Sequence, residues 1–238
     1  MGHMPDSKKS APRTARELAH AEMQRRILQA AREQLTTVGP AQLSLRAIAR
    51  ELGMVSSAIY RYVASRDELI TRLILESFHN LGDAVAAACQ YAEKDPRSQL
   101  QTWAHTLRDW ALEHPYDWAL IYGVPIPGYA APSDTIEPAR RVNEPVLALY
   151  PDFQPDLESG QLLEASEAAL APLRSMLDAE GKFEKAGQGT ATAMMLAWSS
   201  IHGFISLELG GHFDGTADDT NAVFAAIVGQ LTSHLIAD

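Results

Sequence analysis

Cysteine is nearly absent from this chain: Cys89 is the only one in 238 residues, so no disulfide can form within it. A lone thiol fits a reducing compartment, and a cytoplasmic location is the expectation. Cys89 sits in an Ala-rich helical stretch, where a small packed side chain is the ordinary role. Long apolar runs are missing too. Nothing approaches the roughly 18 to 20 consecutive apolar residues of a membrane-spanning helix, and no signal-peptide pattern opens the chain, so no membrane partner is expected. Met1-Gly2-His3-Met4 reads as a remnant of cloning and is set aside.

Catalytic motifs are missing as well. His20, His79, His105, His114, His202, His212 and His234 show no HExxH or comparable ligand spacing. There is no Gly-rich phosphate loop and no GxSxG turn. The expectation is a protein that is no enzyme and carries no cofactor or metal. Strand-like alternation is absent, and no solenoid-length repeat is visible.

Positive charge is scarce overall, with a net charge of −10. Its distribution matters more than its sum. Residues 1–72 carry 12 Lys/Arg against 7 Asp/Glu, whereas residues 73–238 carry 8 against 23. A basic end joined to an acidic remainder points to a polyanion-binding segment, against the plainer reading of a merely solvated charged face.

What is present is apolar content, 46% of the chain, arranged at helical spacing. Met23, Ile27, Leu28, Ala31 and Leu35 mark a helix from about Ala19 to Val38, stopped by Gly39-Pro40. Ser44 is placed to cap a second helix with Leu45, Ile48, Ala49 and Leu52 inside and Gly53 at its end. Ser56 is placed to cap a third, running to Tyr62 or Val63. Ser65 followed by Glu68 is a capping-box pattern opening a fourth helix, which carries Leu69, Ile70, Leu73, Ile74 and Phe78. Further helices are expected at about 98–113, 116–122, 136–150, 158–179, 188–210 and 217–236. The segment 123–132, GVPIPGYAAP, is too rich in Pro and Gly for anything but an irregular loop. The fold class expected is therefore all-α. The division expected is a flexible basic arm over residues 1–18, a helix-turn-helix domain over 19–75 and a larger helical regulatory and dimerisation domain over 76–238.

Residues 43–66 carry the chemistry. A helix of about nine residues, a tight turn at Gly53 and a short second helix make a helix-turn-helix, whose second helix enters the major groove of DNA. Ala58, Ile59 and Val63 can pack inward, while Ser56, Ser57, Tyr60, Arg61 and Tyr62 offer polar tips. The stretch LSLRAIARELGMVSSAIYRYVASRDELI, residues 43–70, resembles the DNA-binding domain of TetR-type regulators, and RRILQAAREQLTTVGP before it resembles that family's first helix.

The resemblance implies roles residue by residue. Ser44, Leu45 and Arg46 would open the helix that contacts phosphates or an edge base; Leu45 could do so only through an apolar contact such as a thymine methyl. Ser56, Ser57 and Ala58 would open the recognition helix and face the bases. Tyr60 would place its hydroxyl on a phosphate, or else pack at the rim. Arg61 and Tyr62 would lie on the groove side, Arg61 as a reader of guanine O6 and N7. Arg46 is either a DNA contact or an exposed charge near Glu51. Arg66 is either a phosphate contact or a local partner of Asp67. Lys8, Lys9, Arg13 and Arg16 either reach DNA or form an unbound tail.

Further along, Trp198, His202 and Gly203 in a Met-rich helix resemble the Trp/His-Gly (WHG) signature of one TetR-type C-terminal domain class. That resemblance implies a ligand-responsive regulator, most often a repressor, whose dimer binds a palindromic operator in double-stranded DNA and is released by a small-molecule effector. Trp103, Trp110, Tyr122, Met176, Met194, Trp198 and His202 are the candidate effector-binding residues, against the plainer reading that they fill the core. For His202 the alternatives are a ligand contact or a buried bond to backbone or Glu167. Two late helices are the expected homodimer contact, one bearing Met195, Trp198, Ile201, Ile205 and Leu209, the other Phe224, Ile227, Val228, Leu231 and Leu235, unless the monomer core consumes both faces.

Overall fold

The computed structural model describes residues 14–155, 161–178 and 189–236. Among the described residues there are ten α-helices and no strand, as the apolar spacing requires. They are α1 (Ala15–Val38), α2 (Leu45–Glu51), α3 (Arg66–Tyr91), α4 (Pro96–Glu113), α5 (Pro115–Tyr122), α6 (Ile136–Ala148), α7 (Gln161–Ala169), α8 (Ala171–Asp178), α9 (Thr190–Leu209) and α10 (Thr220–Leu235). The chain divides into two units, Met1–Leu73 and Ile74–Asp238.

In the first unit, α1 starts on a reciprocal cap: the Thr14 hydroxyl accepts from the Glu17 N–H, and the Glu17 carboxylate accepts from the Thr14 N–H. Its buried stripe is Ile27, Ala30, Ala31 and Leu35, and Gly39 ends it at φ +72°. Ser44 caps α2, its Oγ accepting from the Ala47 N–H at 3.4 Å. The exit from α2 is a Schellman turn, with Met54 N–H donating to Ala49 O and Gly53 N–H to Arg50 O. Gly53 supplies the left-handed residue this turn needs, at φ +67°.

The next segment departs from the sequence expectation. No α-helix runs from Ser56 to Val63. Residues 55–63 form successive turns ending in a 3₁₀ turn at Ile59–Arg61, with no side-chain cap at its start. Its bonds close mostly over three residues, Ala58 to Val55, Arg61 to Ala58 and Tyr62 to Ile59. The cause is local. Val55, Ser56, Ser57, Ile59, Tyr60, Tyr62 and Val63 are β-branched, aromatic or small polar residues, poor helix formers over so short a span. The turns are held by burial of Ala58, Ile59 and Val63. At the start of α3 the Ser65 Oγ accepts from the Glu68 N–H, but the Glu68 carboxylate reaches back to the Ala64 N–H, one residue earlier than a standard capping box.

In the second unit, Asp95 caps α4 and Pro96 takes the first helical position, where a missing N–H costs nothing. α4 buries Leu100, Trp103, Ala104, Leu107 and Ala111, and the Trp103 Nε1–H donates to Val142 O of α6. Instead of one helix over 158–179, α7 and α8 are separated at Leu170, because Pro172 cannot donate back to the preceding turn.

Arg108 joins three helices from a site only 4% exposed. Its guanidinium forms a two-pronged bond to Glu208 of α9 at 2.6 and 2.7 Å and reaches Asn221 Oδ1 and Thr220 Oγ1 of α10. Cys89 is buried, and desolvation pushes its thiol pKa up, as expected of a packed and unreactive side chain.

Candidate DNA-reading surface and helical cavities

The turn segment sorts its residues by what the core demands. Burial of Ala58, Ile59 and Val63 turns Ser56, Ser57, Tyr60 and Arg61 outward, all exposed. Arg46 is also exposed, on the outer face of α2. Together these side chains offer two cations and three hydroxyls. Ser44 is half-buried. Its oxygen is engaged by the Ala47 N–H and its own N–H donates to Gln34 Oε1 at 3.1 Å, so it fixes where α2 begins. Arg16 is exposed in the first turn of α1, while Lys8, Lys9 and Arg13 lie outside the described residues.

Four of the residues singled out from sequence take the inward or local alternative, in whole or in part. Leu45 is 6% exposed and Ala58 8%: both pack inward, because α2 and the turn segment need an apolar inner face to hold together. The exposed apolar side chain here is Val55, 73% exposed, which sequence reasoning passed over as a turn residue. The Tyr62 ring is half-buried against His20 of α1, with centroids 4.8 Å apart, and its carbonyl accepts from Gln24 Nε2. The Arg66 guanidinium donates to Pro40 O at 2.8 Å and Ala41 O at 3.0 Å, with Asp67 at 3.8 Å. The guanidinium bonds two carbonyls of the 40–42 turn at once, adding to the Leu43 N–H that already reaches Pro40 O. Arg66 is therefore a clamp within the unit.

In the second unit, the aromatic residues separate into core and cavity wall. Trp103 and Trp110 are 2% and 7% exposed, Trp103 bonded to Val142 O and Trp110 packed on His114. Trp103 borders a gap of about 10 Å³, and both residues pack as core. The Met176 side chain lies outside the description.

His202 sits in an aromatic nest. Its ring stacks on Trp198 at 4.2 Å and Trp118 at 5.3 Å, with Tyr122 edge-on at 4.7 Å. Nδ1 lies 2.9 Å from Trp198 O. A carbonyl can only accept, so Nδ1 carries the proton and Nε2 is the acceptor. The bond goes to backbone, while Glu167 is engaged with Thr192 and Arg174. Burial pushes the imidazole pKa down to about 4, outweighing the opposing pull of the Trp198 carbonyl, so the ring is neutral at pH 7. Burial likewise raises the Tyr122 pKa and keeps it a phenol. His202 Nε2 and Tyr122 Oη are both buried with no hydrogen-bond partner among the described residues.

Two larger cavities flank the start of α6. One, about 340 Å³, lies among α6, α8 and α9, with walls from Leu147, Leu173, Met194, Met195 and Trp198 and polar side chains Arg140 and Asn143. The other, about 510 Å³, lies among α3, α5, the 123–132 segment and α6, bordered by Phe78, Ile121, Pro125 and Tyr129. Ile136 and Ala139 border both. Met194 and Trp198 thus line a cavity, while Tyr122 and His202 lie in the aromatic nest beside it. The α6 contribution was missed, and its one visible signal is Ile136, a large apolar residue left 66% exposed.

The late helices divide the expected contact face between core and surface. Ile201, Ile205, Phe224, Val228 and Leu235 are buried within the single chain. Met195 and Trp198 of the expected face stay exposed, with Leu196, Ser199 and Leu207 on α9 and Val223 and Ala226 on α10, and Gly203 among them is half-buried.

No helix among the described residues is long and apolar enough to cross a membrane. Residues 27–73 match the model of bacterial regulatory proteins of the tetR family, and residues 100–231 match a tetracyclin repressor-like C-terminal domain. The HTH-type transcriptional regulator Rv1816 of Mycobacterium tuberculosis (strain ATCC 25618 / H37Rv) is 37% identical over 231 residues, covering 91% of this chain and 95% of the relative. The crystal structure of SCO4313 superposes with a TM-score of 0.73 at 34% identity, covering 92% of this chain and 98% of that one. The TetR family transcriptional regulator PfmR from Thermus thermophilus shares the fold, with a TM-score of 0.55 at 18% identity and coverage of 87% and 97%.

Proposed function

Because this chain belongs to the TetR family of DNA-binding helix-turn-helix transcriptional regulators, we propose that it is a cytoplasmic repressor, not an enzyme, that binds a palindromic operator as a homodimer and leaves it when a small molecule binds the C-terminal unit. The observation that carries the reading is the outward cluster Arg46, Val55, Ser56, Ser57, Tyr60 and Arg61 on a fold whose larger unit holds the two cavities bordering α6.

In this reading Arg46 and the Tyr60 hydroxyl take phosphates, where position along the duplex is set. Arg61 reads a guanine edge, Ser56 and Ser57 allow close approach, and Val55 takes the thymine-methyl contact that buried Leu45 cannot make. The 55–63 segment tightens into a fuller helix as it seats in the groove. Arg66 and Tyr62 hold the motif rather than touch DNA. Unit boundaries at about residue 73 separate reading from control.

One motif reads only a few base pairs, so a second copy is needed for a specific site. The α9–α10 face supplies it: Leu196, Leu207 and Val223 are exposed large apolar residues, and a Cβ at Gly203 or Gly229 would meet nothing within 4 Å, which leaves room for another helix. DNase footprinting over the gene's own upstream region tests the reading. A protected palindrome is the expected result; no protection there or at neighbouring promoters overturns it.

A further inference from the structure

The cavity beside α9 presents one polar feature that its apolar walls do not explain. Asn143 donates through Nδ2 to Ala139 O at 3.1 Å, which fixes the amide so that Oδ1 is the other end. That oxygen is buried and has no partner among the described residues, yet Asn143 lines the 340 Å³ cavity. A buried carbonyl left without a donor is costly, so a bound molecule that supplies one gains affinity and specificity together. Arg140 beside it is already paired, its Nε 2.9 Å from Glu137 Oε2. With that carboxylate holding the guanidinium, an anionic headgroup gains little there, and a carboxylate has no proton to give Asn143. A hydroxyl can donate to Asn143 Oδ1 and still accept from an Arg140 N–H.

The rest of the cavity is apolar, and it shares Ile136 and Ala139 with the second cavity of about 510 Å³. An aliphatic chain anchored at Asn143 therefore has apolar wall to follow past the first turn of α6 towards Phe78 of α3. We propose that the effector is a neutral, largely aliphatic molecule with a hydroxyl, its O–H on Asn143 and its chain running across Ile136 and Ala139. This inference rests on the C-terminal unit being the effector-binding part, and it names what that part selects.

Calorimetric titration of the full chain with 1-decanol, 1-methoxynonane and decanoate at pH 7.5 tests it. The ether has the atoms of the alcohol but no donor. The wild-type chain is expected to prefer decanol over both by tenfold or more. Asn143→Leu, close in volume, is expected to erase the preference over the ether, and Ala139→Trp, which fills the shared wall, to weaken decanol at least tenfold. Equal binding of alcohol and ether, tightest binding of decanoate, no binding of any probe, or a preference that survives Asn143→Leu overturns the inference. Should Ala139→Trp fail to fold, the Asn143→Leu comparison decides alone. None of these measurements uses DNA. Decanol binding without any effect on operator affinity would instead overturn the regulatory reading and leave the ligand assignment standing.

Discussion

At Gly53 the backbone turns left-handed at φ +67°, and nothing lies within 4 Å of where a Cβ would sit. A side chain there meets backbone strain alone. Gly53→Ala is expected to cost about 1 kcal/mol, read as a lower midpoint in urea with an unchanged m-value. This residue was legible in the sequence, as was Ser44, because both act through local chain geometry. Tyr62 and Arg66 were only half legible, for the opposite reason. Their surroundings come from α1 and the 40–42 turn, far away in sequence, and a match in register says where a residue falls in a motif without saying which way its side chain turns. His202 adds a pH effect. Above about pH 6.5 its ring is neutral whether the chain is folded or not. Below that the unfolded chain takes up a proton that the folded one refuses until about pH 4, so stability falls as pH falls through this window. The loss reaches about 3 kcal/mol. His202→Gln is expected to flatten the slope of stability against pH between 6.5 and 4; an unchanged slope would place the titration elsewhere.

Among elements, the 55–63 segment shows what pattern reading misses. The inward set Ala58, Ile59 and Val63 was visible, but helix type was not, because a stretch this short is shaped by what it packs on rather than by propensity. The break at Pro172 was legible in principle, since a proline sits inside the expected helix. The Arg108 site was not: Arg108 precedes Glu208, Thr220 and Asn221 by about a hundred residues in the chain, and each alone reads as a surface polar residue. Removing one partner strands a buried charge, so Arg108→Ala is expected to cost about 3–5 kcal/mol. The paired change Arg108→Met with Glu208→Leu is expected to recover much of that loss. Thermal unfolding of Arg108→Met, Glu208→Leu and the paired variant would show it, and additive losses would contradict a coupled pair.

Across the whole molecule, the charge division already visible in the sequence matches the division into units. The basic end holds the outward cations Arg46 and Arg61, and the acidic remainder holds the cavities and the apolar α9–α10 face. Fold class and family were legible because both rest on repeated local patterns, apolar spacing and a motif of some thirty residues. The cavity was only half legible. Met194 and Trp198 stand in an obviously apolar helix, but α6 enters the wall through tertiary packing, and nothing in its sequence marks Asn143 as carrying a buried, unanswered oxygen. At this scale Leu207→Glu on the exposed α9 stripe is expected to shift a dimer towards monomer in sedimentation and to weaken operator binding with it.

The DNA-reading claim is tested most directly by operator affinity as a function of salt, for the wild type, Arg46→Ala and Arg61→Ala, on a duplex from the footprinted upstream region. Loss of a phosphate contact lowers the slope of log K against log salt by about one and weakens all sequences alike. That is the expected result for Arg46→Ala. Loss of a base contact costs about 1–3 kcal/mol and relaxes the preference at one position, the expected result for Arg61→Ala. Wild-type affinity and an unchanged salt slope in both variants would contradict the assignment of this surface to DNA.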